Sequence, residues 1–396
     1  MAAEAVPDIL IIGGGLIGLS IAWHLLRADR GVRVTVVERE TVRHDGTPGQ
    51  ASPAAAGMLA PLAEAHAPGP FVRLGLESLR RYPAFLAELQ AESGGFDVHL
   101  TGPGMLRIAI TPEDWAHLRA AAAWQRSTGE SQLELCEMTS EEVRAREPNV
   151  TDRVCGGLLS PAEVQLEPQR LLHALRRACE RQTPRFQWVN EAIADVTRSG
   201  SGKVFGVRTA AGKTFPCGAL VVAGGAWSAA LGKMLETSLP IAPVRGQILS
   251  LRPPGSSPVR HTIYHSGSGY VVPRRDNSVV VGATEEPDAG WDARVTARGL
   301  ADVLAVGCAL VPELADASFL SARVGFRPAA PDHLPVLGPL PGWHNAYAAT
   351  GHFRNGVLLT PITGHLLAQA ILHPRQPEPL LAAFLPHRFA AENAAA

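Results

Sequence analysis

The opening of the chain constrains its fold more than any other stretch. An apolar run, Ile9–Ile12, passes through three consecutive glycines into a helix-periodic segment. Gly13, Gly15 and Gly18 match the spacing G-x-G-x-x-G, in which glycines allow a tight turn, close approach of the backbone to a pyrophosphate, and packing of helix against strand. The pattern predicts a strand, a turn and a helix whose N-terminus faces phosphate groups.

A second β-branched segment, residues 32–38, follows the predicted helix and ends in an acid. Glu38 stands about twenty residues after the last glycine of the motif, where the ribose hydroxyls of a dinucleotide need an acceptor. A solvated acid at a strand end is the alternative interpretation of Glu38. A glycine turn alone also occurs in folds that bind no nucleotide, but the turn and the acid together favour a dinucleotide-binding domain.

The chain is long enough for two or three domains, since it has 396 residues and a domain has roughly 100–200. Its hydrophobic fraction of 46% is ordinary for a globular protein. Lysine and arginine number 36 against 37 acidic residues, a formal net charge of −1, so the sequence has no basic field for nucleic acid or anionic lipid. A small neutral or zwitterionic substrate fits this charge balance better.

The cysteines are odd in number, widely spread and without a C-x-x-C pair, which argues against a disulfide frame or a zinc site and for a reducing compartment. They are Cys136, Cys155, Cys179, Cys217 and Cys308. The N-terminal apolar run enters a glycine turn instead of a cleavage site, and no stretch approaches about 18 unbroken apolar residues. The sequence therefore predicts a cytoplasmic protein with no signal peptide, no membrane span and no metal site.

The rest of the chain alternates between helix-periodic and strand-like segments. Helical patterns cover residues 71–90, 112–127, 168–181, 292–310 and 357–372, and a helix start stands at Thr139. Residues 219–223 form a second buried strand that runs into glycines, as expected where the chain returns to the nucleotide domain. Residues 248–251, 270–273 and 278–282 are typical of antiparallel strands separated by turns.

No repeat, linker or low-complexity run divides the chain before its tail, so the predicted domains are interleaved. The predicted fold class is α/β (α+β overall), with a Rossmann-like nucleotide-binding domain and an interleaved substrate domain built on a mixed, largely antiparallel sheet. Residues 1–90, 150–235 and 325–390 are assigned to the nucleotide domain, and residues 91–149 and 236–324 to the substrate domain.

Five motifs, taken in order along the chain, resemble the FAD-dependent D-amino-acid oxidase superfamily. They are the glycine turn with Glu38, Ala51-Ser-Pro-Ala-Ala-Ala-Gly57-Met58, Gly224-Gly-Ala-Trp227, Gly325-Phe-Arg327-Pro and Thr350-Gly-His-Phe-Arg354-Asn-Gly356. Within the superfamily the chain is most similar to the glycine oxidases of thiamine biosynthesis, over nearly its whole length. The second and last motifs are much more specific than the opening glycines.

The resemblance implies FAD as the cofactor. In the family the small-residue segment, which composition alone would make a flexible loop, passes the isoalloxazine ring, and the backbone at Ile193 meets the adenine. The segment that begins at His352 opens the last helix, whose N-terminus faces the flavin N1–C2 edge. The implied contacts are Gly13, Gly14, Gly15, Leu16, Ile17, Gly18, Glu38, Arg39, Ala51, Ser52, Ala56, Gly57, Met58, Ile193, Gly224, His352, Phe353, Arg354, Asn355, Gly356, Val357 and Leu358.

Residues 327–333 lack the cysteine that attaches flavin in sarcosine oxidases, and Cys308 falls too early, so the FAD is expected to be non-covalent.

The resemblance also implies a substrate side. Arg327 resembles the arginine that binds the substrate carboxylate, a task suited to a planar guanidinium. Tyr270 matches a tyrosine that holds the same group, and Arg354 assists at the carboxylate or the flavin. The alternative interpretations are an exposed arginine at a strand end for Arg327, a core aromatic for Tyr270 and a structural role for Arg354. Ser268 replaces a histidine of the glycine oxidase pattern, which leaves the amine side of the pocket open; a surface residue is the favoured interpretation of nearby His265.

The implied reaction is FAD-dependent oxidative deamination of glycine, sarcosine or a small D-amino acid. Its products are the 2-oxo acid, ammonia or an amine, and hydrogen peroxide from dioxygen. Loss of hydride from the neutral amine form needs no dedicated general base. The alternatives are a dehydrogenase of the same superfamily with another electron acceptor, and a non-catalytic flavin-binding assembly protein. Retention of Arg327, Tyr270 and Arg354 argues against the second alternative. The expected partners are the amino acid and dioxygen, without nucleic acid or membrane, and a homo-oligomer is left open.

Overall fold

A computed structural model describes residues 8–39, 49–63, 65, 67–127, 134–200, 202–376 and 378–389 of the chain. Its α-helices are α1 Leu16–Ala28, α2 Ala51–Ala54, α3 Pro70–Glu92, α4 Pro112–Ser127, α5 Ser140–Arg146, α6 Pro168–Glu180, α7 Ser228–Met234, α8 Ala297–Leu310 and α9 Thr360–Leu372. Its strands are β1 Ile9–Ile12, β2 Val34–Glu38, β3 Met105–Ala109, β4 Cys136–Thr139, β5 Gly156–Ser160, β6 Phe186–Asn190, β7 Ile193–Arg198, β8 Val204–Thr209, β9 Thr214–Pro216, β10 Ala219–Val222, β11 Ala242–Arg252, β12 Thr262–His265, β13 Gly269–Pro273, β14 Val279–Gly282, β15 Ser318–Ala329, β16 Val336–Pro339 and β17 Ala346–Thr350.

The first sheet has six strands in the order β16-β17-β10-β1-β2-β6 and is parallel except at its edge strand β16. Successive residues of β1 point to opposite faces, which explains its unbroken apolar sequence. Ile9 and Ile11 belong to the core beneath helices α1, α3, α6 and α9, whereas Leu10 and Ile12 pack toward the three-stranded sheet β7-β8-β9. Strand β10 pairs directly with β1, so the predicted return of the chain to this domain is confirmed.

The second sheet has eight strands in the order β15-β11-β14-β13-β12-β3-β5-β4. All its pairings are antiparallel except that of β3 with β12. The long ladder between β11 and β15 runs from the pair Ala242↔Ala329 to the pair Arg252↔Ser318. Two sheets of these kinds confirm the predicted fold class.

The sheets also bear on the proposed domain limits, which stay a prediction. Strand β5 lies in the eight-stranded sheet, although the prediction assigned residues 150–235 to the nucleotide domain. Because β5 pairs with β3 on one side and β4 on the other, its hydrogen bonds favour moving that limit beyond Ser160. Strand β15 crosses the other predicted limit, at residues 324 and 325, without interruption.

Two predicted helices begin later than the sequence indicated. Helix α8 starts at Ala297, not at residue 292, because Thr296 caps it by accepting a hydrogen bond from the N–H of Gly299 at 3.1 Å. Helix α9 starts at Thr360, not at residue 357. Residues 356–359 form a turn there, closed by the Thr360 hydroxyl, which donates to the carbonyl of Gly356 at 2.8 Å. Within the described residues, no helix is long and apolar enough to cross a membrane.

The start of α5 is a capping box, as its sequence suggested. The Thr139 hydroxyl accepts from the N–H of Glu142 at 3.2 Å, and the Glu142 carboxylate accepts from the N–H of Thr139 at 2.7 Å. Two backbone donors that the helix cannot satisfy itself are thereby paired.

We expect Thr139→Ala to remove about 1 kcal/mol of stability, because one helix N–H loses its acceptor. In a protein of this size that loss corresponds to a fall of about 1–2 °C in Tm, measurable by differential scanning calorimetry. Ser140→Ala, one residue into the same helix, is the matched control and should not lower Tm, since alanine favours helix. An equal Tm for the two variants would contradict the assigned cap.

Candidate active site

A cavity of about 560 Å³ runs from the glycine turn after β1 to the ends of β11, β13, β14 and β15. It is thus lined by both large sheets. Most of the predicted cofactor and substrate residues line it, which brings together motifs that lie more than 300 positions apart in the chain. Gly18, Asn355 and Leu358 are the predicted contacts absent from its lining.

The glycine turn is closed by backbone contacts that exclude side chains. Gly13 has a φ of +114°, and a Cβ atom there would lie within 3.0 Å of the carbonyl of Ala223. A Cβ atom on Gly18 would come equally close to the carbonyl of Gly13. Gly18 therefore fixes the helix against the turn without reaching the cavity, in agreement with its predicted packing role.

Glu38 lies at the end of β2 with its carboxylate beside the turn. Its Oε2 accepts a hydrogen bond from the N–H of Gly14 at 2.7 Å. The amide of Asn190 donates to the carbonyls of Glu38 and Arg39 at 3.0 and 3.2 Å and so holds the chain after β2. The Arg39 guanidinium lies 4.4 Å from the ring centroid of Trp227, on the opposite wall of the cavity.

The small-residue segment is anchored along the cavity, so its interpretation as a flexible loop is wrong. It begins with the short helix α2, and the Ser52 hydroxyl accepts from the N–H of Leu16 at 3.1 Å. Gly57 has a φ of +87°, and a Cβ atom there would meet the carbonyl of Leu166. The guanidinium of Arg274 donates to the carbonyl of Ala56 at 2.6 Å. Little side-chain volume stands between this backbone and the cavity.

The segment before α9 is held from behind by helix α3. The hydroxyl of Ser78 donates to the carbonyl of Leu358 at 2.6 Å, and the hydroxyl of Tyr82 donates to the carbonyl of Val357. His352 is only 3% exposed, and its Nε2 lies 3.1 Å from the hydroxyl of Thr363. Burial lowers the pKa of His352 to about 3, so this imidazole is neutral near pH 7.

Arg327 projects from β15 across a glycine of the neighbouring strand. Its Nη1 donates to the carbonyl of Thr284 at 3.0 Å and, more weakly, approaches that of Arg245 at 3.4 Å. A Cβ atom on Gly246 would lie 2.5 Å from both terminal nitrogens. The glycine thus provides the space in which the guanidinium lies flat.

A buried polar network supports the strands behind Arg327. Arg245 forms ion pairs with Glu286 and Asp292, and Gln247 donates to the carboxylate of Glu286 at 2.7 Å. Burial would raise the pKa of Glu286, but its hydrogen bonds with Arg245, Thr284 and Gln247 hold it below its ordinary value. These contacts fix the backbone carbonyls to which Arg327 donates.

Two tyrosines of neighbouring strands line the same cavity as this arginine. Tyr270 on β13 pairs in register with Tyr264 on β12, and both line the cavity. The hydroxyl of Tyr270 lies over Gly282, where a Cβ atom would clash with it. Tyr264 was missed by the sequence analysis, which predicted no strand at residues 262–265.

The cavity mouth carries Arg354 and Glu285, whose side chains form an ion pair with an Nε–Oε2 distance of 2.9 Å. Glu285 had no sequence signal. His265 also lines the cavity with a side chain only 11% exposed, so its interpretation as a surface histidine is wrong. Its neighbour Ser268 lines the mouth as well. No group of three or more His, Cys, Asp or Glu side chains among the described residues could hold a metal ion.

This fold and site define the class of FAD-dependent amino-acid oxidases. The chain belongs to the FAD dependent oxidoreductase (DAO) family, whose model matches residues 8–370. It is 34% identical to glycine oxidase from Geobacillus kaustophilus over 92% of both chains. It is 33% identical to the bifunctional protein ThiO/ThiG of Synechocystis over 98% of its own length but only 54% of that protein.

Solved structures agree with the sequence relatives. The crystal structure of glycine oxidase from G. kaustophilus superposes with a TM-score of 0.87 at 32% identity, covering 96% of this chain and 98% of that one. Iminodiacetate oxidase from Chelativorans superposes with a TM-score of 0.85 at 27% identity over the same fractions.

The described residues fit FAD. The first turn of α1 carries no acidic side chain, so nothing in that turn repels a pyrophosphate. Gly13, Gly14 and Gly15 line the cavity there, and added side chains would fill the cradle or clash with its walls. The elongated cavity then continues past the small-residue segment toward Arg327.

We expect Gly18→Ala to weaken FAD binding about tenfold, because the added methyl group would push α1 away from the turn. Apparent Kd can be measured by flavin fluorescence after reconstitution of the apoprotein. Gly255→Ala is the control, since a Cβ atom at Gly255 meets nothing within 4 Å. Unchanged FAD affinity in Gly18→Ala would contradict the packing argument.

Proposed function

We propose that this protein oxidises glycine, sarcosine or a small D-amino acid to the 2-oxo acid, with release of ammonia or an amine and reduction of dioxygen to hydrogen peroxide. The observation that carries the proposal is the placement of Arg327, which lies flat over Gly246 in the same cavity as the flavin-binding segment. A forked guanidinium in a partly buried site is suited to a carboxylate.

Each substrate-side residue has a task in this proposal. Arg327 binds the carboxylate through two N–H groups, and its bonds to backbone carbonyls orient the fork. Tyr270 donates its hydroxyl to the same carboxylate. Arg354 assists at the carboxylate or the flavin, and its ion pair with Glu285 holds its side chain at the mouth. The flavin supplies the two-electron acceptor for the amine carbon.

The proposed cofactor contacts follow the cavity lining. The turn Gly13–Gly15 with Leu16 and Ile17 binds the pyrophosphate, Glu38 the ribose, and the backbone at Ile193 the adenine. The segments from Ala51 to Met58 and from His352 to Val357 enclose the ring. Supply of thiamine biosynthesis by the product is part of the proposal and rests on the resemblance to glycine oxidases.

The reaction is tested by anaerobic addition of glycine, sarcosine, D-alanine or D-proline to the FAD-loaded protein, followed by air. We expect at least one of them to bleach the flavin absorption, and air to restore it with one hydrogen peroxide per flavin. Bleaching without return in air would identify a dehydrogenase instead of an oxidase. No bleaching by any amino acid would overturn the proposed function.

Arg327→Lys should raise KM for the reactive amino acid about 10- to 100-fold while FAD content stays unchanged, because one charged hydrogen bond of the fork is lost. Gly246→Ala should act in the same direction by displacing the guanidinium. Arg252→Lys, on the far end of β11 and paired with the exposed Asp276, is the matched control. A KM unchanged by Arg327→Lys would remove Arg327 from the carboxylate site.

The FAD is proposed to be non-covalent, since no cysteine is among the residues that line the cavity. Precipitation of the holoprotein with trichloroacetic acid should leave the yellow flavin in the supernatant. Flavin that stays with the precipitate and fluoresces on a denaturing gel would contradict this prediction.

A further inference from the structure

His265 is bound on both of its ring nitrogens, at the mouth of the cavity. Its Nδ1 lies 2.9 Å from the hydroxyl oxygen of Ser268, and its Nε2 lies 3.3 Å from Oδ2 of Asp114. Asp114 comes from the first turn of α4, whereas His265 ends β12 and Ser268 lies in the turn before β13. The first turn of a helix and one hairpin of the substrate-side sheet thus supply one hydrogen-bonded chain.

The carboxylate of Asp114 determines which atom donates and which accepts in each of these hydrogen bonds. A carboxylate only accepts, so the Nε2 of His265 must donate to Asp114. In the neutral imidazole Nδ1 is then an acceptor, and Ser268 must donate its hydroxyl proton to it. The lone pairs of the Ser268 oxygen remain for a donor in the cavity, which Ser268 lines.

Asp114 is held as an anion by its own surroundings. It accepts from the N–H groups of Thr111 at 2.9 Å and Ile110 at 3.2 Å. Burial on its own would raise the pKa of Asp114, but hydrogen bonds with Thr111, His265 and Ile110 lower it to about 2. His265 therefore donates through Nε2 to a carboxylate anion.

We propose that Ser268, His265 and Asp114 form the amine side of the substrate site and remove one proton from the bound ammonium group. The substrate N–H bond breaks as the Ser268 oxygen takes that proton, and the Ser268 hydroxyl proton moves to Nδ1 of His265. The result is a neutral amine, which has the free electron pair that oxidation of its carbon requires, and an imidazolium paired with Asp114. This assignment rests on the proposed function.

The position of this hydrogen-bonded chain agrees with an α-amino acid as the ligand. Ser268 stands two residues before Tyr270, which belongs to the proposed carboxylate side, and both line the same cavity as Arg327. An amino acid carries its ammonium and carboxylate on one carbon, so the two binding sides must be neighbours. A carboxylic acid without an amine would use the Arg327 side alone.

The other charged groups around His265 do not replace it as the proton acceptor. Cys155 lies on the α4 side, where its thiol donates to the carbonyl of Thr111, and burial raises its pKa. On the cavity side Glu285 is paired with Arg354, and Arg327 is a cation. His265 is therefore the acceptor toward which the Ser268 hydroxyl proton moves.

The test compares His265→Asn with the native holoenzyme, by stopped-flow flavin reduction from pH 6 to pH 10 with the reactive amino acid. At pH 7 the variant should reduce its flavin about 100-fold more slowly in kred/Kd. Without an internal acceptor it must use amine that is already neutral, and an alkylammonium has a pKa of about 10. Its rate should thus rise about tenfold per pH unit to pH 9, whereas the native rate should rise less steeply, because Ser268 and His265 accept the proton.

Further variants distinguish a role of His265 in proton transfer from a structural role. Ser268→Ala should show the same steep profile, and His117→Asn, an exposed histidine on α4, should behave as native. Acetate keeps the carboxylate and lacks the amine, so its Ki should be unchanged in His265→Asn and raised in Arg327→Lys. A pH profile of His265→Asn parallel to that of the native protein would overturn the proton relay while leaving the amino-acid oxidase assignment intact. Failure of every amino acid to reduce the native flavin would overturn both.

Discussion

The close approach of Gly18 to the carbonyl of Gly13, and of Gly13 to that of Ala223, is the contact on which the rest of the structure depends. It sets the angle between β1 and α1 and joins both to the turn that follows β10. Each contact is between backbones, so neither turn can move without separating two parallel strands of the central sheet. The cradle for the pyrophosphate is therefore as rigid as the sheet from which it projects.

The second sheet forms the substrate side of the cavity. A substrate must enter and leave there, while the cofactor stays bound. Arg327, Tyr264 and Tyr270 reach the cavity from strands of this sheet. Arg327 lies across Gly246, and the buried network of Arg245, Gln247 and Glu286 holds the strands behind it. The carboxylate side is thus preorganised by packing that lies one layer away from the substrate.

Much of this arrangement could be predicted from the sequence, because short-range patterns determine it. The glycine spacing, the helix over residues 112–127 and the capping box at Thr139 each depend on a few neighbouring residues. The exact start of α9 was wrong because a hydroxyl of Thr360 closes a turn that the apolar periodicity does not distinguish from helix. Tyr264 and Glu285 were missed because their place in the site comes from the pairing of strands and not from a local motif.

The two histidines of the cavity lining show how strongly burial changes the chemistry of the same kind of side chain. His352 is enclosed, its Nε2 lies beside the hydroxyl of Thr363, and burial lowers its pKa to about 3. It is neutral near pH 7, so it does not exchange protons with a substrate there. His265, at the mouth, instead faces the carboxylate of Asp114. Of these two rings, only that of His265 therefore joins a carboxylate partner to the cavity lining.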